Sequence, residues 1–174
     1  MRSPASGFDE PLEVLQACHG RIEERLQTLE RLAEHAGTRG PDAIAQSAAK
    51  DVLRYFDTSG AQHHQDEDQD FFPLLRKRAA ASGRNEVAAA VDELEREHAT
   101  MDAQWRRLRE KLNAIAALGA AAVDAGEVAR FAWLYRRHMD RESLLLLPFA
   151  KEVLTPEERA GLGTRMAARR ARPQ

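Results

Sequence analysis

Two copies of one potential metal-ligand pattern occur in this 174-residue chain, each a histidine followed later by His-x-x-x-Glu. A proline lies six residues after each glutamate, and the second His-x-x-x-Glu and proline repeat the first at a constant offset of 75 residues. The two copies comprise His19, His63, Glu67 and Pro73, then His98, His138, Glu142 and Pro148. Four imidazoles and two carboxylates could form the first coordination shell of a pair of transition-metal ions.

The spacing predicts where these side chains point. Residues four apart on an α-helix share a face, so His63 with Glu67, and His138 with Glu142, should face inward at one level. Two ionised carboxylates in an apolar interior are costly unless a positive charge offsets them. Apart from Arg141 beside Glu142, no lysine or arginine shares these stripes. Metal cations are the compensation that fits, and a bundle whose polar residues only set helix register is the alternative.

The residue types also bear on which metal is expected. Imidazole suits Zn, Cu, Fe and Ni, and carboxylate oxygens shift the balance towards Fe or Mn. A structural zinc site would use cysteines or one closed set of four ligands, whereas the chain has a single cysteine, Cys18. We therefore expect two iron ions, with manganese or zinc as alternatives, and open coordination positions for bridging oxygen species or small ligands.

Apolar residues around the ligands recur at steps of three and four, which is typical of helices with one buried face. In the first and third helices, His19 and His98 occupy heptad positions where an apolar residue would be expected. Short connections favour antiparallel neighbours, so we predict an all-α, up-down-up-down four-helix bundle, with an interruption near Gly60. The predicted helices span about residues 9–36, 41–82, 86–118 and 127–147.

A short C-terminal helix is predicted after the bundle, because Thr155-Pro156-Glu157-Glu158 forms a capping box. We accordingly expect a metal-binding bundle over residues 1–154, followed by this helix and a basic tail over residues 155–174. The tail arginines are expected to lie in a solvated, frayed end, and the aspartates near Glu67 on a charged outer face. These residues are Arg165, Arg169, Arg170 and Arg172, and Asp66, Asp68 and Asp70.

Bulk properties exclude several classes of function. Charged residues make up 31% of the chain and the net charge is −2, so neither nucleic acid nor an acidic membrane is expected as a partner. The longest apolar stretches, 114–123 and 144–150, are too short to span a bilayer. Residues 1–13 contain no signal-peptide core, and one cysteine gives no sign of an oxidising compartment, so we expect a cytoplasmic protein.

Residues 11–152 resemble the hemerythrin family, specifically the bacterial domains with a His-His-Glu cation-binding pattern. The resemblance is carried by His63-His64-Gln65-Asp66-Glu67 through Phe71-Phe72-Pro73-Leu74-Leu75, and by His138 through Glu142 to Pro148. It implies an antiparallel four-helix bundle around two non-haem iron ions, bridged by carboxylates and an oxo or hydroxo group. It also implies terminal ligands at His19, His63, His98 and His138, and bridging carboxylates at Glu67 and Glu142.

The chain departs from the oxygen-carrying hemerythrins, which have a fifth histidine in a His-x-x-x-His pair on the third helix. Here Leu94 and Asp102 stand four residues before and after His98. The missing histidine counts against reversible oxygen carriage. The candidates for an additional ligand are His64 first, then Asp102, Glu97 and Tyr135.

No catalytic residues are predicted apart from the metal ligands, since the chain has no Gly-rich phosphate loop and no nucleophile elbow. We expect a binding or sensing protein whose metal centre engages O2, peroxide or nitric oxide. The alternatives are an enzyme that consumes peroxide or oxidises a small substrate, and iron buffering or donation. A protein partner is left open.

Overall fold

The computed structural model describes residues 7–119 and 122–171. These residues form five helices joined by short connections and contain no strand, so the predicted all-α helical bundle is confirmed. The helices are α1 (Pro11–Arg39), α2 (residues 43–82), α3 (Asn85–Ala116), α4 (residues 125–153) and α5 (Pro156–Ala171). Arg172 of the predicted basic tail, and residues 1–6 of the segment in which no signal-peptide core was found, lie outside the described residues.

The helix ends follow local signals in the sequence. The Asp42 carboxylate caps α2 by accepting a backbone N–H three residues later at 2.9 Å, after a turn in which Gly40 has φ of 78°. Gly83, with φ of 69°, ends α2 in the left-handed conformation. The predicted capping box of α5 is confirmed, because Glu158 N–H donates to Thr155 Oγ1 at 3.2 Å and Thr155 N–H donates to Glu158 Oε2 at 3.1 Å.

Two π-helical segments begin at predicted metal ligands, Glu67–Phe71 within α2 and Glu142–Leu146 within α4. In both, the residue after the segment donates its N–H to the glutamate carbonyl five positions earlier, rather than four as in an α-helix. A third π segment, Phe56–Gly60, carries α2 through the position where an interruption was predicted. The α-helix is therefore interrupted where predicted, by a π segment and without a break in the helical chain.

Proline explains where the first two π segments lie. Pro73 and Pro148 each stand six residues after the glutamate that opens the segment. In an α-helix a proline ring clashes with the carbonyl four residues earlier, and the wider turn ahead of the ring relieves that clash. The constant glutamate-to-proline spacing of the sequence is therefore a backbone constraint on the ligand segment.

One compact unit consists of the described residues of Met1–Gly20, Ala61–Arg96 and Met139–Gln174. Within this unit α5 approaches the chain ahead of α1 so closely that a Cβ at Gly163 would lie 2.0 Å from the carbonyl oxygen of Phe8. Only glycine fits there without a shift of the backbone. The unit's apolar core includes Leu12, Leu15, Phe71, Phe72, Leu75, Val91, Leu94, Leu146, Leu162 and Met166.

The second compact unit consists of Arg21–Gly60 and Glu97–His138. Its core is aromatic, with 4.9 Å between the ring centroids of Phe56 and Trp105, and 4.9 Å between those of Phe131 and Tyr135. Within residues 7–119 and 122–171, no helix has the length and apolar character that crossing a bilayer requires.

The predicted apolar stripes are confirmed along α1 and α3. Leu15, Ile22 and Leu26 of α1 are at most 1% exposed, and Leu94 and Met101 of α3 are fully buried. The histidines that replace apolar residues in these stripes therefore lie on the buried faces of their helices.

Candidate metal centre

Four buried donors converge within the first compact unit. His19 of α1, His63 and Glu67 of α2, and Glu142 of α4 each offer one ligand atom, and these atoms all lie within 4.8 Å of one another. His19 is 7% exposed, and the other three residues are 1% exposed. Their spacing and burial allow the four side chains to hold one ion.

Glu67 and Glu142 belong to a second buried group, together with His98 of α3 and His138 of α4. Its ligand atoms also lie within 4.8 Å of one another, and both histidines are 2% exposed. The six residues predicted as ligands therefore meet in two overlapping groups, each with two imidazoles and the same two carboxylates. This arrangement is consistent with a dimetal site.

Distances between pairs of donors within these groups are similar. The Nε2 atom of His98 lies 3.0 Å from Nε2 of His138, Nε2 of His19 lies 3.0 Å from Glu142 Oε2, and Nε2 of His63 lies 3.2 Å from Glu67 Oε1. Two donors bound at right angles to one ion, with bonds of about 2.1 Å, are about 3.0 Å apart. Each pair is therefore close enough for both atoms to bind one ion.

His19 tests whether a cation fits. Its Nδ1 lies 3.1 Å from the Ser143 hydroxyl oxygen, which also accepts a hydrogen bond from Gln16 Nε2 at 3.3 Å. Its Nε2 is buried and makes no hydrogen bond, although Glu142 Oε2 is only 3.0 Å away. In the tautomer that donates from Nδ1 to Ser143, Nε2 presents a lone pair towards a carboxylate. A cation bound by both atoms would use this lone pair and balance the charge of the carboxylate, so the donor set fits a metal ion.

The Glu67 carboxyl lies where its negative charge is strongly disfavoured. Burial raises the pKa of Glu67 well above its ordinary value, and the charge of Glu142 and a hydrogen bond with it raise this pKa further. A bound cation acts in the opposite direction, because it favours the charged form of both carboxylates. Two buried glutamates in contact are thus an expensive arrangement that a metal ion would stabilise.

Glu97, an alternative ligand on the sequence, contributes no atom to either group and instead supports His138. Its Oε2 lies 3.1 Å from His138 Nδ1, and its Oε1 accepts a hydrogen bond from Arg137. Although burial opposes it, the hydrogen bonds and charges of His138 and Arg137 hold the pKa of Glu97 below its ordinary value. A carboxylate on Nδ1 leaves the lone pair on Nε2, the atom that faces the group.

His64 and Asp102 donate no atom to either group. His64 is buried at 7% exposure, whereas Asp102 is exposed. An additional ligand role for either stays a prediction. Ser143 was missed from the sequence, because its position after Glu142 does not indicate a contact with His19, 124 residues away.

Two predictions about charged residues are wrong, one about the aspartates beside Glu67 and one about the arginines of the C-terminal tail. Asp66 is fully buried and Asp70 is 9% exposed, so these aspartates do not form an outer face. Both pair with arginines of α5, and the described tail arginines lie in an ordered helix where a frayed end was predicted. The pairs are Arg169 and Arg170 with Asp66, and Arg165 and Arg169 with Asp70.

Comparison with known proteins agrees with this geometry. The hemerythrin HHE cation binding domain matches residues 10–150, a range that contains all six convergent residues. An uncharacterised protein of Haemophilus influenzae is 29% identical over 163 residues, which cover 94% of this chain and 91% of that protein. The family expected from the two histidine and glutamate patterns is thereby confirmed: this chain belongs to the hemerythrin HHE cation-binding family.

Proposed function

We propose that the two overlapping groups hold a pair of iron ions, and that this centre binds or senses O2, peroxide or nitric oxide. The observation that carries the proposal is that Glu67 and Glu142 belong to both groups. A carboxylate has two oxygens, so a shared glutamate can bind one ion with each of them. Two such glutamates would hold the ions as a pair.

The donor types favour iron. One ion would be held by His19 and His63, the other by His98 and His138, and both by the shared carboxylates. Imidazole together with carboxylate suits iron, and four protein donors leave positions open on a six-coordinate ion. Two redox-active iron ions would supply ligand coordination and electron transfer. Each group contains only two histidines besides the shared carboxylates, so both ions would have open coordination positions.

Residues around the six donors orient the histidine rings and keep water away from the site. Ser143 and Glu97 orient the rings of His19 and His138. Leu94 and Met101, one turn before and after His98, are fully buried and help to keep water from that part of α3. A dry site strengthens every electrostatic interaction within it.

The test is anaerobic reconstitution with Fe(II), followed by separate exposure to O2, hydrogen peroxide and nitric oxide. We expect the visible spectrum of the wild type to change with the added ligand, and the change to be lost in Glu67→Gln. Glu95→Gln is the matched control, because Glu95 is exposed on α3 and pairs with Arg76 at the surface.

The outcomes separate three functions. Iron that binds but responds to none of the three ligands would contradict the proposal and favour iron buffering or donation. Steady-state peroxide consumption that disappears in Glu67→Gln would favour an enzyme. Spectral changes without turnover are the result that binding or sensing predicts.

A further inference from the structure

A cluster of ion pairs connects α5 to the segment of α2 that carries two predicted ligands. We call this cluster the arginine clamp, and it consists of Arg165, Arg169, Arg170, Asp66 and Asp70. All five residues belong to the first compact unit. The family match ends at residue 150, so the helix that supplies the arginines lies outside the matched range.

Each aspartate of the clamp is held at both carboxylate oxygens. Asp66 Oδ1 accepts from Arg169, and Asp66 Oδ2 accepts from Arg170 Nη2 at 2.7 Å. Asp70 Oδ1 accepts from Arg165 Nε at 2.5 Å, and Asp70 Oδ2 accepts from Arg169 Nη2 at 2.7 Å. Arg169 therefore joins the two aspartates, and the pairs restrain their rotation as well as balancing charge.

Burial makes these contacts different from ordinary surface ion pairs. The side chains of Asp66 and Arg169 are 0% and 13% exposed. Burial raises the pKa of Asp66, and the hydrogen bonds and charges of Arg170 and Arg169 oppose that rise. Exposed pairs contribute little to stability, but removing one partner of a buried pair leaves an uncompensated charge.

In the sequence of α2, the two aspartates of the clamp are close to predicted ligands of the candidate metal centre. Asp66 immediately precedes Glu67, and Asp70 lies within the π segment Glu67–Phe71 that Glu67 opens. His63 is one turn earlier in the same helix. Fixing both aspartates therefore fixes the backbone between them, including that of Glu67.

We propose that α5 is a positioning element for the metal centre: the arginine clamp holds the ligand segment of α2 in place and slows the loss of bound metal. The proposal rests on the proposed function to the extent that the two groups must bind metal. None of the clamp residues is assigned as a ligand.

If the arginines acted only through their positive charge, removing them would change the rate of metal loss in the opposite direction. Positive charge near a cation site weakens cation binding, so its removal alone should slow metal loss. Removal of a positional restraint should accelerate metal loss, because the donors no longer stay in the arrangement that the ion requires. The direction of the change therefore separates the two roles.

The experiment loads the full chain with Co2+, whose visible bands report coordination geometry, and measures stoichiometry, spectrum and the rate of loss to EDTA. In the double variant Arg169→Met/Arg170→Met we expect about tenfold faster loss or more, with altered Co2+ bands. The matched control is Arg136→Met, since Arg136 pairs with Glu23 and Glu30 in the second compact unit. If the double variant does not fold, adding Asp66→Asn removes the orphaned charge and leaves the clamp broken.

A second variant disturbs the packing of α5 without changing any charge. Gly163→Ala places a Cβ 2.0 Å from the Phe8 carbonyl oxygen, so α5 and the chain at Phe8 must move apart, and we expect faster Co2+ loss here too. Gly37→Ala in α1 is its control, because a Cβ there would meet nothing within 4 Å.

Different results would contradict the proposed metal function and the proposed positioning role of α5. A wild type that binds no Co2+ would defeat the proposed metal function. A wild type that binds Co2+, together with clamp variants that release it at the same rate or more slowly, would overturn the positioning role of α5 alone.

Discussion

Phe72 donates its backbone N–H to the carbonyl of Glu67, five residues earlier, where an α-helix would use the carbonyl four residues earlier. The following residue, Pro73, has no N–H to donate and cannot follow an unbroken α-helical turn without a clash. Leu147 makes the equivalent bond to Glu142, ahead of Pro148. Both shared glutamates of the candidate centre therefore open a π segment, and proline accounts for that position.

Pro73→Ala should weaken metal binding without touching a ligand. Alanine restores an N–H and removes the ring, so α2 can return to α-helical bonding, which turns Glu67 by about 100° relative to the residues that follow. We expect faster release of Co2+ to a chelator. Pro156→Ala is the control, because proline is tolerated at the first position of α5. Unchanged release from Pro73→Ala would show that the π segment does not orient Glu67.

Most of the fold could be predicted from the sequence, because it depends on local signals. The stripe through Leu15, His19 and Ile22 repeats at the helical period, and the predicted inward faces are buried. The capping box at Thr155 and Glu158 acts over three residues and was also predictable. The glutamate-to-proline spacing is also present in the sequence. A prediction from periodicity assumes a rotation of about 100° for every residue, so it cannot show that the helix widens there.

The parts that could not be predicted depend on residues distant in the chain. Arg169 meets Asp66 across 103 residues, and charged residues in both segments are typical of solvated surface. Glu97 was considered as a ligand, but only the structure places it on Nδ1 of His138, 41 residues away. A single sequence gives the ligand types and their helices, whereas the groups that orient the ligands come from packing.

Glu97→Gln should lower metal affinity by about 10- to 100-fold, the usual effect of removing a group that orients a ligand histidine. Glutamine keeps the size of the side chain but loses the charge that fixes the His138 tautomer. Competition titration against a metal-binding dye measures the change. Glu95→Gln, two positions away and exposed, should bind as the wild type does. Equal affinities of the two variants would contradict the role of Glu97.

Acidification should narrow the gap between the melting temperatures of the metal-bound and metal-free protein. Burial and the neighbouring Glu142 raise the pKa of Glu67. An acid with a raised folded-state pKa stabilises the metal-free fold at low pH, and this contribution is lost as the pH rises towards that pKa. The metal binds the ionised carboxylate, so the proton must leave when the ion binds. Below the raised pKa, the metal affinity therefore falls about tenfold per pH unit for each displaced proton.

Calorimetry of both forms at a series of decreasing pH values tests this linkage. We expect the metal-bound protein to melt higher throughout, with a difference that shrinks as the pH falls. A difference that stays constant or grows on acidification would show that Glu67 is not deprotonated when metal binds.

The most direct test of the central claim is the number of metal ions bound per chain in four proteins: the wild type, His19→Ala, His138→Ala and Glu67→Gln. Because each histidine belongs to one group and Glu67 to both, we predict two ions in the wild type. Each histidine variant should then retain one ion, and Glu67→Gln should retain none. Two ions retained in Glu67→Gln, or a single ion in the wild type, would contradict a paired centre that shares its glutamates.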